Sequence, residues 1–139
     1  MATWHLEILI TTKPLATQAN NWNGRAGATL DFWGVVRARE DRREISGIDY
    51  EAHEAMAQHQ MKLIAEAAAE KFGLEEVILQ HRIGFVAVGE ASLFLRVSSG
   101  HRGAAYEASA WIVTELKKKV PIWKCPLFVR QEAHEVAGG

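Results

Sequence analysis

Five basic side chains in this sequence stand where a side chain can meet a substrate: Arg37, His101, Arg102, Lys117 and Lys124. Lys124 lies between Trp123 and Cys125, in an apolar segment where a strand would carry another apolar residue. A semi-buried lysine there, with Arg37 and Arg102 close by, would lose its proton more easily and become a nucleophile or base. Lys117, Lys118 and Lys119 close a helical pattern just before Pro121. Lys118 and Lys119 fall three and four residues after Glu115 and suit surface ion pairs. Lys117 falls four after Val113, at the margin of the apolar stripe, and is the one of the three that can point into a cleft. Ser99-Gly100-His101-Arg102-Gly103 joins a strand to a helix, where free backbone N–H groups add to side-chain charge and favour a phosphate or carboxylate. Read from residues alone, each has a structural alternative. Lys117 can snorkel along the core edge. Arg102 can be a solvated first-turn residue, and His101 a cap. Cys125 suits a small buried hydrophobe better than a reactive thiol. Trp22, Trp33 and Trp111 suit packing better than ligand contact.

Other chemistries lack their residues. None of the six histidines forms a helical i, i+4 metal pair, and one cysteine gives no CxxC, so a metal site is not expected. No GxxxxGK[ST], GxGxxG or GxSxG motif is present, and no cofactor is expected. The 16 basic and 17 acidic residues balance to a net charge of −1, which argues against nucleic acid as a partner. No apolar run approaches the roughly 20 residues needed to cross a bilayer. The start Met1-Ala2-Thr3-Trp4-His5 lacks an export signal. With a lone Cys125, the expected location is the cytoplasm.

Stepping along the 139 residues, the elements that must position these side chains follow from periodicity. Residues 4–10 alternate as a half-buried strand. Residues 15–22 allow a short helix after Pro14. Residues 28–37, apolar on both faces, suggest a central strand ended by Arg37. A mobile polar loop is expected over 37–44 and a strand over 45–51. The spacing predicts a helix from about Glu54 to Phe72, with a stripe of Met56, Gln60, Leu63, Ile64, Ala67 and Phe72, closed by Gly73. A strand over 77–83, a glycine-containing connection over 84–90 and a strand over 91–99 follow. A second helix over 102–119 carries Ala105, Ala108, Ser109, Ile112, Val113, Leu116 and Val120. Pro121 stops it, a strand spans 122–129, and residues 132–139 read as a flexible tail. The fold class is α+β: a single domain over 1–139, with two long helices packed on a mainly antiparallel sheet.

Several blocks, in order, then resemble a known family. They are Gly27-Ala28 through Phe32-x-Gly34-x-Val36-Arg37, and Tyr50-Glu51-Ala52 with Met56-Ala57. His81-Arg82-Ile83-Gly84, Val88-Gly89-Glu90, Ser99-x-His101-Arg102 and Lys117-x-x-Val120-Pro121-Ile122-Trp123-Lys124 complete the series. Together they resemble the large subunit of molybdopterin synthase. The resemblance implies an α/β-hammerhead-like fold and a sulfurtransferase. That enzyme moves sulfur from a small ubiquitin-like subunit, thiocarboxylated at its C-terminal Gly-Gly, onto cyclic pyranopterin monophosphate to make the molybdopterin dithiolene. It implies a homodimer within a heterotetramer. It also implies that Arg37, His101 and Arg102 hold the pterin phosphate while Lys117 and Lys124 are catalytic.

The chain departs from the family at Cys125-Pro126, where lysine and glutamate are usual, at His53, where tyrosine is usual, and in a tail lacking the usual tryptophan. These departures motivate an alternative, a diverged non-catalytic module that binds the pterin phosphate or a ubiquitin-like protein. Gly138-Gly139 could in principle carry a thiocarboxylate itself, but no ubiquitin-like pattern precedes it, and a flexible tail explains it better.

Overall fold

The computed structural model describes residues 4–20 and 22–130. The expected tail over 132–139 lies outside the described residues. Eight strands and two helices follow one another: β1 (His5–Thr11), β2 (Ala28–Val35), β3 (Arg39–Glu40), β4 (Arg43–Ala52), α1 (Glu54–Phe72), β5 (Glu76–Arg82), β6 (Gly84–Ala87), β7 (Ala91–Ser99), α2 (Arg102–Lys119) and β8 (Ile122–Phe128). The α+β class is as expected, with two sheets in place of one. The first has the order β1-β5-β7-β2; β1 runs parallel to β5, and the other neighbours are antiparallel. The second joins β3-β4-β6, with β8 paired to β4.

Both helices cover one face of the first sheet. Val77, Leu79, Leu95 and Val97 point into a core shared with Met61, Ile64, Ala65 and Ala68 of α1 and Ala105, Ala108, Ile112 and Leu116 of α2. The α2 stripe falls where the periodicity puts it. The α1 stripe does not: Ala57, Met61, Ile64, Ala65 and Ala68 are buried, while Met56 and Leu63 are exposed. The helix is turned by about one residue, roughly 100°, because three alanines allow close approach to the sheet while the larger side chains face outward. Gly73 closes α1 in the left-handed conformation at φ 66°, as its position predicted. His53, the residue that departs from the family pattern, caps its start by accepting from the Met56 amide at 3.4 Å.

On the opposite face of the first sheet, Arg96 is buried and makes a forked contact with Asp31, Nε to Oδ1 at 2.6 Å and Nη2 to Oδ2 at 2.9 Å. Its remaining donors reach the carbonyls of Ala19 at 2.7 Å and Gln18 at 3.2 Å. This accounts for one correction. No helix forms over 15–20, because those carbonyls are bound by Arg96 instead of an intrahelical amide. A second correction concerns β2, which is an edge strand; β5 and β7 are central. Its two faces are apolar because Ala28 and Leu30 pack against the helix-covered core while Trp33 stacks on Phe94, centroids 4.5 Å apart. Apolar residues on both faces say nothing about how many neighbours a strand has.

The second sheet holds a smaller core of Val36, Ile45, Ile48, Tyr50, Ile83 and Val86. Two segments taken for connections are built into it. Residues 84–87 form β6, paired with Gly47 to Tyr50 of β4. The polar stretch after Arg37 is a tight hairpin, β3 against β4, turned by Asp41 and Arg42 at φ 48° and 63°. Consecutive positive φ values are those of a type I′ turn, whose twist matches its strands.

Candidate functional site

Register sets the place of Lys124. It pairs with Tyr50, as Ile122 pairs with Ala52 and Pro126 with Ile48, so these side chains share the core-facing side of the second sheet. Trp123, Cys125 and Leu127 alternate to the other side and are exposed. The apolar setting expected for Lys124 is therefore only partly met. Its stem leaves from an apolar face, yet 54% of the side chain is exposed and the ammonium reaches solvent, with Nζ 3.2 Å from Glu40 Oε1. Cys125 also differs from expectation. It is an exposed free thiol opposite Asp49, not a buried hydrophobe.

Arg37 lies just beyond β2, after the buried Val36, and its Nη2 sits 3.5 Å from Glu40 Oε2. The structure thus brings Arg37 and Lys124 to one carboxylate. The sequence reading missed Glu40 by assigning it to a mobile loop. The Arg37-x-x-Glu40 spacing and the turn-forming Asp41 were the available signals.

The three lysines at the end of α2 separate as helical geometry requires. Lys119 and Lys118 lie 2.7 and 3.8 Å from the Glu115 carboxylate. The bond from Lys119 holds the Glu115 carboxyl below its usual range, against the opposing effect of burial. Lys117 is exposed and makes no ion pair among the described residues, so the chain by itself supplies no cleft wall beyond it. At the other end of α2, His101 is the N-cap in extended conformation, without a side-chain cap bond; its carbonyl accepts from Ser99 Oγ at 2.5 Å. Arg102 opens the helix, and no acid lies in the first turn, which leaves the positive end of the dipole uncompensated. Arg102 and Lys117 stand at opposite ends of the helix, about 22 Å apart at 1.5 Å per residue. Among the described residues no hydrogen bond or ion pair joins His101 or Arg102 to Arg37, Lys117 or Lys124.

Two other features lie outside these contacts. A cavity of about 290 Å³, lined by Trp4, His5, Trp22, Arg25, Glu75 and Glu76 among others, contains none of the five basic residues. Trp22 is an exposed wall of it, not the packing residue expected. At the junction of the two sheets, His81 packs edge-on to Tyr50, centroids 5.1 Å apart. His81 Nδ1 lies 2.8 Å from the Arg82 carbonyl, which can only accept, so the neutral ring carries its proton on Nδ1. Burial lowers the His81 pKa, the carbonyl contact opposing it. Among the described residues no group of three or more metal-ligating side chains converges. No helix among them is long and apolar enough to cross a membrane.

Residues 10–119 match the family model described as MoaE protein. The chain belongs to that family. It is 38% identical over 126 residues to the molybdopterin synthase catalytic subunit of Neosartorya fischeri, covering 90% of this chain and 67% of the relative. The catalytic subunit of Pyrococcus abyssi is 41% identical over 98 residues, 70% of this chain and 66% of the relative. The chain thus spans about two thirds of the length of these curated relatives. Among solved structures, molybdopterin synthase from Staphylococcus aureus superposes with a TM-score of 0.81 at 29% identity, over 88% of this chain and 91% of that one. The MoaE match ends at Lys119, so Lys117 lies within it and Lys124 five residues beyond.

Proposed function

We propose that this chain is the catalytic subunit of a molybdopterin synthase. In this reading it accepts sulfur from the thiocarboxylated Gly-Gly terminus of a small ubiquitin-like subunit and delivers it to cyclic pyranopterin monophosphate. The observation that carries the reading is the convergence of Arg37 and Lys124, from separate elements, in a chain of the MoaE family. Arg37, His101 and Arg102 hold the substrate phosphate. Lys117 and Lys124 move protons, or attack, as oxygen leaves carbon and sulfur replaces it. The reading is cytoplasmic, where Cys125 stays reduced.

The length of α2 adds a condition. His101 and Arg102 cannot serve Lys117 from within the same chain across about 22 Å. A homodimer meets the condition if the N-terminus of α2 in one protomer faces the lysines of its partner, with a small subunit at each end of the assembly.

The test is reconstitution of the full chain with a thiocarboxylated small subunit and the pterin substrate. Dithiolene product is expected. Pterin binding without product would favour the diverged binding module, the reading that Cys125-Pro126 motivates.

A further inference from the structure

The β3–β4 hairpin places an acid where two cations meet. Glu40 is the last residue of β3, and 21% of its side chain is exposed. Its carboxylate oxygens face different partners, Oε2 toward Arg37 Nη2 at 3.5 Å and Oε1 toward Lys124 Nζ at 3.2 Å. Arg37 comes from the connection after β2 and Lys124 from β8, 84 residues along the chain from Glu40. The backbone that presents Glu40 is well held. Glu40 pairs with Arg43, the Ile45 amide donates to the Ala38 carbonyl at 2.9 Å, and Arg39 Nη2 donates to the Arg42 carbonyl at 2.6 Å. The nearby acids Asp41 and Glu44 make no ion pair with Arg37 or Lys124 among the described residues. A carboxylate with one oxygen turned to each of two cations marks an oxyanion position.

We propose that Glu40 is an internal anion that engages Arg37 and Lys124 in the free protein and gives up Arg37 to the phosphate of an incoming substrate, which frees Lys124 for its own role. Glu40 is then a specificity-determining residue. It keeps the two cations together in the free protein, and it sets a threshold that a weakly held anion does not cross. The proposal rests on the functional reading above only for the identity of the substrate; the exchange of one anion for another does not depend on it. Exposed ion pairs are individually weak, so the threshold is modest.

The experiment compares the full chain with Glu40→Gln, which keeps the shape of the side chain and removes its charge. Titration with inorganic phosphate should show a Kd about three- to fivefold lower in the variant. The double variant Arg37→Ala, Glu40→Gln should lose that gain, and Glu40→Asp, which keeps the charge, should not show it. In the reconstituted synthase, KM for the pterin substrate should fall by the same factor with kcat changed by less than about twofold. A lowered melting temperature with unchanged phosphate affinity would mean a structural role only and would overturn the proposal. So would a gain for the carboxylate of glycylglycine with none for phosphate. If the synthase yields no dithiolene while Glu40→Gln still tightens phosphate, the functional reading fails and the role of Glu40 stands.

Discussion

The two sheets divide the work of this chain. The first is covered by both helices on one face and crossed on the other by the segment that Arg96 holds, so Phe94, Leu79 and Leu95 are wholly buried. The second has a core of six buried residues and leaves Phe85, Trp123 and Leu127 in solvent. Yet Lys124 and Glu40 stand on the second sheet, with Arg37 beside it. Stability is concentrated where packing is dense, and chemistry sits where side chains can still move and meet a ligand. The comparison implies that activity and stability can be damaged separately.

The largest effects test that separation directly. Lys124→Ala is expected to lower kcat/KM of the reconstituted synthase by about 10²- to 10⁴-fold, the usual contribution of a positioned proton-transfer group. Its melting temperature should hardly change, since an exposed pair such as Lys124–Glu40 contributes about 0–1 kcal/mol. Phe94→Ala should do the reverse. It removes a ring with no exposure from the first sheet and should cost about 3–5 kcal/mol in denaturant unfolding. Near-wild-type activity after Lys124→Ala would remove the lysine from the mechanism. A marginal loss after Phe94→Ala would mean that the first sheet is not the stable region.

The same division governs how much could be read from sequence. The first sheet and its helices were legible because alternation and the 3.6-residue period record burial, as in Ala91 to Ser99 and in the α2 stripe from Ala105 to Leu116. Periodicity did not tell which of two apolar faces α1 would bury, since Met56 and Leu63 compete on paper with Ala57 and Ala65 and lose only to close approach. It did not show β6, whose partner β4 lies far along the chain, or the β3–β4 hairpin, whose two-residue pairing is too short to display alternation. The basic residues were found by type and position; His101, Arg102 and Lys117 stand at the ends of α2, while Arg37 lies two residues past β2 and Lys124 lies within β8. Glu40 was not found, because an acid in a polar stretch acquires meaning only when β8 brings Lys124 to it.

A smaller effect separates two glycines, one beside each region. At Gly47 in β4 an added Cβ would lie 2.5 Å from the Phe85 ring and from the Val86 carbonyl, so both the ring and the backbone of β6 must shift. Gly47→Ala should cost about 1–3 kcal/mol. At Gly24, in the segment that crosses the first sheet, nothing lies within 4 Å of the added Cβ, and only φ +85° opposes it. Gly24→Ala should therefore cost less, about 1 kcal/mol. Thermal unfolding of the two variants checks the ranking. An equal cost at both sites would mean that β6 gives way to the added methyl without strain, so that the approach of β6 to Gly47 is not a fixed contact.

The smallest effect concerns the junction, where His81 of β5 meets Tyr50 of β4. Burial holds the His81 pKa below its ordinary value of 6.5. The unfolded chain takes up a proton near that value while the folded chain does not, so below it the unfolded state binds more protons and stability falls. The contribution is fully present above pH 6.5 and is lost as the pH falls toward the folded pKa. The melting temperature should accordingly decline as the pH is lowered from about 7.5 to 5.5. His81→Asn keeps an N–H that can donate to the Arg82 carbonyl and cannot titrate, so its decline over that range should be shallower. Equal slopes in the two proteins would show that His81 is not held neutral by its surroundings, and hence that the sheets meet less closely at Tyr50 than the edge-on contact indicates. A shallower slope accompanied by loss of amide protection in β4 and β6 before β5 and β7 would place the first opening of the molecule at this junction, on the side that carries Lys124.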